Sequence, residues 1–195
     1  MAIKPILFNT EMVRAILDGR KDATRRIVKG FIPDDAVWGY TAFTPKGYIS
    51  CRGTFADGYG EKFFKLSCEP GDILYVRETW KKAPNGYYYY EDWQRNDIAD
   101  VTKWKPSIHM PKEAARIWLK VTDVRVERLQ EMWASDVTKE GIFFTKPTTA
   151  DEMLQAFADL WNSTIKKSDL DRYGWDANPW VWIIGFERCE KPEGV

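Results

Sequence analysis

One segment near the end of the chain, residues 179–187, is apolar on both of its alternating faces. It reads Pro-Trp-Val-Trp-Ile-Ile-Gly-Phe-Glu. A strand with one face in water alternates apolar and polar residues, whereas a near-continuous apolar run is typical of a strand covered on both sides. The segment therefore predicts a doubly covered strand. Gly185 within it would permit the close approach of a neighbouring backbone.

The remaining patterns predict many short strands and two or three helices. Residues 116–122 alternate as a strand, and the apolar phase then slips by one residue, which predicts a bulge or bend near Thr122-Asp123. Residues 10–18 predict a helix that Thr10 caps and Gly19 ends, and residues 149–152 resemble a capping box that opens a second helix. Because strands do not alternate with helices, we predict an α+β fold, a small mixed β-barrel with helical decoration, rather than a doubly wound sheet.

Two insertions interrupt this pattern. The first, at about residues 38–67, predicts a hairpin of 48–55 against 61–67 that turns at Asp57-Gly58. The second, at about residues 83–101, contains Asn85-Gly86, a dipeptide that favours a type I′ hairpin turn. The length of 195 residues is most simply one domain, so we predict a single domain over 1–190 with a loose tail at 191–195.

Charge and composition narrow the classes of partner. The 29 basic and 29 acidic side chains cancel, so the chain shows no sign of the basic field that binds DNA or long RNA, while a nucleotide in a pocket remains compatible. Aromatic residues make up 15% of the chain, and they serve either as core or as stacking platforms for bases.

The same composition argues against several other site types. Three cysteines without a CxxC pair and a sole histidine predict no disulfide framework, no metal site and no cofactor. With neither a signal sequence nor a membrane-length apolar run, we expect no membrane partner and a cytoplasmic location.

The stretch 19–26, Gly-Arg-Lys-Asp-Ala-Thr-Arg-Arg, concentrates cations and a hydroxyl where the first helix ends. Lys21 would act as a general base or nucleophile if burial or the neighbouring arginines lowered its pKa, and Thr24 would then be a hydroxyl within its reach. The alternative is an ordinary basic surface turn. Glu78, after a buried strand, would either orient Lys21 or form a structural salt bridge.

Two stiff aromatic loops supply further candidates. Trp104, Ser107 and His109 lie in a loop that two prolines stiffen, and Trp175 and Asn178 lie in a second loop before the last strand. A ring beside a polar side chain can stack on a base and read its edge. The alternatives are a hydrogen-bonded structural role for His109 and a simple turn at Asn178.

Several motifs together resemble the ASCH domain family, in the form of its larger phage and prophage members. The resemblance is carried by Gly-Arg-Lys…Thr…Arg at 19–26, Pro-Gly-Asp…Val-Arg-Glu-Thr-Trp at 70–80, and the segments 106–111, 121–129 and 175–182. It implies a PUA-like barrel with helices over one opening and a cleft lined by residues 19–26. The chain departs from the small family members in its length, in Asp22-Ala23 within the turn, and in the two stiff loops.

Some small members of that family hydrolyse acetylcytidine with a lysine, a threonine and a glutamate, and others are described as RNA-binding or as ribonucleases. The resemblance thus implies Lys21, Thr24 and Glu78 as catalytic residues. Three functions follow: an amidohydrolase acting on an acylated pyrimidine nucleoside, a non-catalytic module for RNA or a nucleotide, and a phage protein whose aromatic insertion at 38–67 contacts a partner protein. The candidate ligand-binding residues are Arg20, Arg26, Trp104, Ser107, His109, Trp175 and Asn178.

Overall fold

The computed structural model describes residues 1–96 and 102–194, and its ten strands and five helices within those ranges confirm the α+β class. The end of the insertion predicted at 83–101 and the last residue of the predicted tail lie outside the described residues. The strands are β1 (Ile3–Leu7), β2 (Ala23–Ile27), β3 (Val37–Gly39), β4 (Tyr48–Phe55), β5 (Gly58–Lys65), β6 (Ile73–Arg77), β7 (Trp80–Ala83), β8 (Gly86–Tyr89), β9 (Trp118–Arg128) and β10 (Trp180–Cys189). The helices are α1 (Thr10–Leu17), α2 (Tyr90–Arg95), α3 (Ala134–Lys139), α4 (Ala150–Thr164) and α5 (Leu170–Tyr173).

The main sheet has five strands in the order β1-β6-β9-β10-β2, and β1 and β6 form its one parallel pair among the described strands. The pairing of β9 with β10 shifts register between Gly185 and Phe186, opposite Thr122. This confirms the predicted bulge. A Cβ placed on Gly185 would lie 3.1 Å from the Thr122 hydroxyl oxygen, so the predicted close approach at Gly185 is confirmed as well.

The central strands are covered on both faces, as the apolar run predicts. Trp182 and Ile184 of β10 pack into one core with α1, whereas Val181 and Ile183 pack into a second core with α4. Strand β6 is also covered on both faces. Its residues Leu74 and Val76 pack into the first core, and Ile73 and Tyr75 pack into a third core that contains Trp118. Burial on both sides explains why these strands carry so few polar residues.

The two edge strands of the main sheet, β1 and β2, are joined by a side chain. The Arg26 guanidinium of β2 donates a hydrogen bond of 3.0 Å to the carbonyl of Leu7 at the end of β1. No backbone ladder links β1 with β2 in the part of the chain that the structure describes. The sheet therefore curls toward a barrel and stays open along this seam.

Both predicted helices are present as α1 and α4, but the residue that caps α1 differs from the predicted one. Helix α1 is capped by Asn9, whose side-chain oxygen accepts from the Met12 N–H at 2.9 Å, so the prediction that Thr10 is the cap was wrong. Asn9 precedes the helix with an extended backbone, as a cap requires, and Thr10 is already helical. The capping box of α4 is confirmed between Thr149 and Glu152. No described helix is long and apolar enough to span a membrane.

Both predicted hairpins are present, and the turn of each lies one residue earlier than predicted. In the first, Phe55 pairs with Gly58, so the loop is Ala56-Asp57 and the second strand covers Gly58–Lys65 rather than 61–67. In the second, Ala83 pairs with Gly86 and leaves Pro84-Asn85 as the loop. A type I′ turn needs positive φ at both central residues, and Asn85 does not have it, so that turn type was wrong. The first hairpin and its flanks expose large apolar side chains: Val37, Tyr40, Phe43, Tyr59 and Phe63.

Gly141 lies where α3 approaches α1. Its φ is +92°, and a Cβ there would lie 2.7 Å from the Ala15 Cβ and 3.1 Å from the Lys21 Cβ. We expect Gly141→Ala to lower the free energy of unfolding by about 3 kcal/mol, through backbone strain and overpacking together. Urea denaturation would measure it. Gly47→Ala is the control, because Gly47 has φ +80° in open space, and it should cost about 1 kcal/mol. Equal losses in the two variants would contradict tight packing at Gly141.

Candidate functional site

A cavity of about 260 Å³ lies along the open seam, beside β2. Strand β2 forms one wall, the end of β1 and the start of α1 form a second, and α4 forms a third. Glu140, directly after α3, completes the lining. The lining residues are Phe8, Asn9, Met12, Lys21, Thr24, Arg25, Arg26, Ile27, Glu140, Phe157, Leu160, Trp161, Thr164 and Ile165. We call this space the β2 cavity.

Lys21 is almost fully buried in the wall of this cavity, with 4% of its surface exposed. Its Nζ donates to the Ala23 carbonyl at 2.7 Å, to the Glu140 carbonyl at 2.8 Å and to the Glu140 Oε2 at 2.8 Å. An ammonium has three N–H donors, so all three are used. Burial lowers the pKa of Lys21, and the charge of Glu140 opposes that shift.

Glu140 holds a second buried cation. Its Oε1 accepts from Arg25 at 3.1 Å, and a second Arg25 nitrogen lies 3.4 Å from an oxygen of Asp136. Lys21, Arg25 and Glu140 each expose 5% of their surface or less. Because isolated buried charges are costly, this mutual pairing is what allows three charged side chains to lie together here.

On β2, one buried donor and one hydroxyl that line the cavity make no hydrogen bond with the described residues. The Arg25 Nε is buried and unpartnered among the described residues. The Thr24 hydroxyl also makes no hydrogen bond in the described part of the chain; its oxygen is not one of the fully buried unpartnered atoms, so it is accessible from the cavity although the residue as a whole is buried. Buried polar groups are normally satisfied, so a donor and a hydroxyl left free beside a cavity are groups that a ligand can use.

The structure brings Lys21 and Thr24 together at the β2 cavity and places Glu78 elsewhere. The Glu78 carboxylate is 2% exposed and forms a two-point ion pair with Arg116, with both N–O distances at 2.9 Å. Burial raises the pKa of Glu78, and Arg116 opposes the shift. The Arg116 guanidinium lies 4.0 Å from the centre of the Tyr89 ring. The expectation that Glu78 orients Lys21 is therefore corrected, because Glu140 occupies that position.

Of the ligand-binding candidates, only Arg26 lines the β2 cavity in the described structure. Arg20 donates to the Gly141 carbonyl at 2.7 Å and pairs with Asp18. His109 is exposed, and Ser107 begins the short 3₁₀ turn that contains it.

The aromatic loop candidates belong to packing clusters. Trp104 packs edge-on against Trp93 at 5.4 Å between ring centroids. Trp175 packs against Phe157 in the core beneath α4. Asn178 has a φ of +45°, and its side chain accepts from the Gln130 N–H at 2.8 Å, which matches the turn interpretation.

Sequence reasoning missed several cavity residues. Glu140, Phe157 and Trp161 lie more than a hundred residues after Lys21, and only the fold brings them to it. Glu140 stands directly before a glycine in the sequence Lys-Glu-Gly, a pattern that ends helices and could have marked it as the end of α3. Nothing in the sequence pairs that carboxylate with Lys21.

The ion-pair arrangement predicts unequal costs for removing its members. Glu140→Gln leaves two buried cations and should lower the free energy of unfolding by about 4 kcal/mol. Lys21→Met leaves Glu140 paired with Arg25 and should cost about 2 kcal/mol. Glu187→Gln removes an exposed pair with Lys120 and should cost about 0.5 kcal/mol or less. Urea denaturation of the three variants checks the order, and a smaller loss for Glu140→Gln than for Lys21→Met would contradict it.

No family model matches this sequence. No curated protein matches it either. Two solved structures are similar to it. The ASCH domain from Lactobacillus crispatus JV V101 has 11% identity and a TM-score of 0.44, over 96% of this chain and 79% of that one. The hypothetical protein PH0355 has 13% identity and a TM-score of 0.38, over 97% of this chain and 100% of that one.

Proposed function

We propose that the protein binds a nucleotide or an unpaired nucleotide of RNA, with the base in the β2 cavity. The observation that carries the proposal is the lining of this cavity, where aromatic rings stand beside polar groups that have no partner. Phe157 and Trp161 stack with 6.2 Å between their centroids, and the Trp161 ring is fixed by a hydrogen bond of 2.8 Å to the Tyr173 carbonyl. Both rings belong mainly to the core, and the parts that face the cavity offer apolar surface against which a base can pack.

The free polar groups supply the hydrogen bonds that a base edge needs. The Arg25 Nε–H is a donor, and the Thr24 hydroxyl both donates and accepts. They are consecutive residues of β2, so their side chains leave opposite faces of this edge strand and line the cavity from its two sides. A volume of about 260 Å³ is near the lower end for ligand sites and favours a single pyrimidine over a larger group.

The hydrogen bonds of Lys21 favour binding over catalysis as the function of the β2 cavity. Its three donors are all engaged, two of them by backbone carbonyls, which is the environment of a charged ammonium. A general base must instead be neutral with a free lone pair. In this geometry Lys21 supports the wall and contributes positive charge to it.

The test is calorimetric titration with cytidine, using Thr24→Val and the control Thr148→Val. Valine has the shape of threonine and lacks the hydroxyl, so Thr24→Val should weaken cytidine binding about 5- to 10-fold with little change in stability. Thr148 bonds its hydroxyl to the Lys146 carbonyl and does not line the cavity, so its variant should bind as the native protein does. Absence of cytidine, uridine and adenosine binding by the native protein would overturn the proposal.

A second candidate, hydrolysis of an acylated pyrimidine nucleoside, is favoured by the lowered pKa of Lys21 beside a free hydroxyl. The reaction adds water across the amide C–N bond of acetylcytidine and yields cytidine and acetate. Lys21 would first pass a proton to Glu140, whose Oε2 lies 2.8 Å away, and then accept one from Thr24 or water. The free Arg25 Nε–H, rather than Arg26, would stabilise the oxyanion.

Chromatography of acetylcytidine incubated with the protein tests this candidate. If it is correct, Lys21→Met and Thr24→Val each reduce cytidine release by roughly 100-fold or more, while Thr148→Val leaves it unchanged. Circular dichroism establishes that each variant is folded. No product from the native protein, or undiminished release by folded Lys21→Met, would eliminate hydrolysis and leave nucleotide binding in place.

A further inference from the structure

A second cavity, of about 500 Å³, adjoins the β2 cavity on the β1 side of the seam. The two cavities share Phe8, Asn9, Met12, Arg26 and Thr164 in their linings. They are therefore neighbouring chambers of one cleft, separated at these shared side chains. We call the second space the β1 cavity.

Arg26 stands at the junction of the two cavities and is held there from several sides. One guanidinium nitrogen donates to the Arg25 carbonyl at 3.2 Å and another to the Leu7 carbonyl at 3.0 Å. The guanidinium carbon lies 5.3 Å from the centre of the Phe8 ring. Arginine has five N–H donors, so three remain for a ligand.

In the part of the chain that the structure describes, Arg26 lacks a direct ion pair, unlike its neighbours, although burial lowers its pKa and the charge of the nearby Glu140 opposes that shift. Lys21 and Arg25 share Glu140, whereas Arg26 forms an ion pair with no carboxylate among the described residues. Arg26 is exposed as a residue, lines both cavities and has its guanidinium oriented by backbone carbonyls. A pre-oriented arginine with free donors and no direct carboxylate partner suits a phosphate.

The β1 cavity itself does not attract a second anion. Its one lysine, Lys4, is paired with Asp72 at 2.9 Å. Its thiol, Cys68, is buried, and burial raises its pKa, so it stays neutral near pH 7. Most of the remaining lining is apolar: Pro5, Ile6, Leu7, Leu74 and Ile184. Such a chamber suits a sugar and base rather than a phosphate.

We propose that the cleft binds two consecutive nucleotides of single-stranded RNA, with the phosphodiester that links them on Arg26. One nucleoside occupies the β2 cavity and its neighbour occupies the β1 cavity. This inference rests on the proposed function and specifies its ligand. Zero net charge agrees with it, because one phosphate contact needs no basic field over the whole protein.

The experiment compares cytidine, the dinucleotide CpC and a ten-residue oligocytidine by calorimetry. We expect CpC to bind roughly 10-fold or more tightly than cytidine, from one charge-assisted contact and the second chamber. The oligonucleotide tests whether the cleft binds a dinucleotide segment within a longer strand. An affinity per binding site similar to that of CpC supports recognition within RNA. Binding of CpC with exclusion of the oligonucleotide would overturn the RNA assignment.

Two variants address the two parts of the inference. Arg26→Gln should remove most of the CpC advantage, measured as the ratio of CpC affinity to cytidine affinity within the same variant. It should also abolish the salt dependence of CpC binding, whose slope is expected near −0.7 for one phosphate contact. Arg52→Gln, which removes an exposed arginine outside both cavities, is the charge control and should change neither ligand.

Ser67→Trp provides the independent variant, since Ser67 is exposed at the lining of the β1 cavity and the larger ring would fill that chamber. It should also remove the CpC advantage and leave cytidine unchanged. Equal affinity of the native protein for cytidine and CpC would overturn this inference and leave the proposed function standing. Failure of both ligands to bind would overturn the proposed function, and this inference with it.

Discussion

The carboxylate of Glu140 is the group on which the cleft depends. It lies directly after α3 and binds Lys21 and Arg25, the two cations that β2 and the turn before it direct toward this helix. Without it, two positive charges would lie buried side by side, at a cost that a domain of marginal stability cannot easily absorb. A backbone β-bridge between Lys21 and Glu140 also links the end of α3 to the turn before β2. The same contact that stabilises the junction therefore shapes the wall of the cavity.

The open seam between β1 and β2 decides where a ligand can enter. A closed ladder would have joined these strands and filled the space with backbone hydrogen bonds. Instead the Arg26 side chain spans the gap to the Leu7 carbonyl, and cavities lie on either side of it. A side chain that bridges two strands keeps part of its hydrogen-bonding capacity free, which backbone groups in a ladder do not. Arg26 thus connects the two edge strands and also presents hydrogen-bond donors to the cleft.

Local patterns predicted most of the elements for identifiable reasons. The doubly apolar run of β10, the phase slip at Thr122 and the capping box at Thr149 each act within a few residues, and each is found in the structure. The cap of α1 and the turn at Pro84-Asn85 were misplaced by one residue, an error that local propensity cannot resolve because neighbouring polar residues suit both positions. Of the predicted site residues, Lys21, Thr24 and Arg26 line the β2 cavity. Glu78 instead forms a salt bridge with Arg116, which was the alternative to its role beside Lys21.

The α+β class, the buried central strands and the cationic turn at 19–26 can be predicted from the amino-acid pattern alone, because hydrophobic periodicity and turn chemistry depend on adjacent residues. The carboxylate that meets Lys21 is known only from the folded arrangement. Glu78 and Glu140 are both buried acids, and the choice between them depends on how α3 and Arg116 pack. Long-range electrostatic pairing is set by where the backbone brings charges together, and no local pattern in the chain encodes that distance.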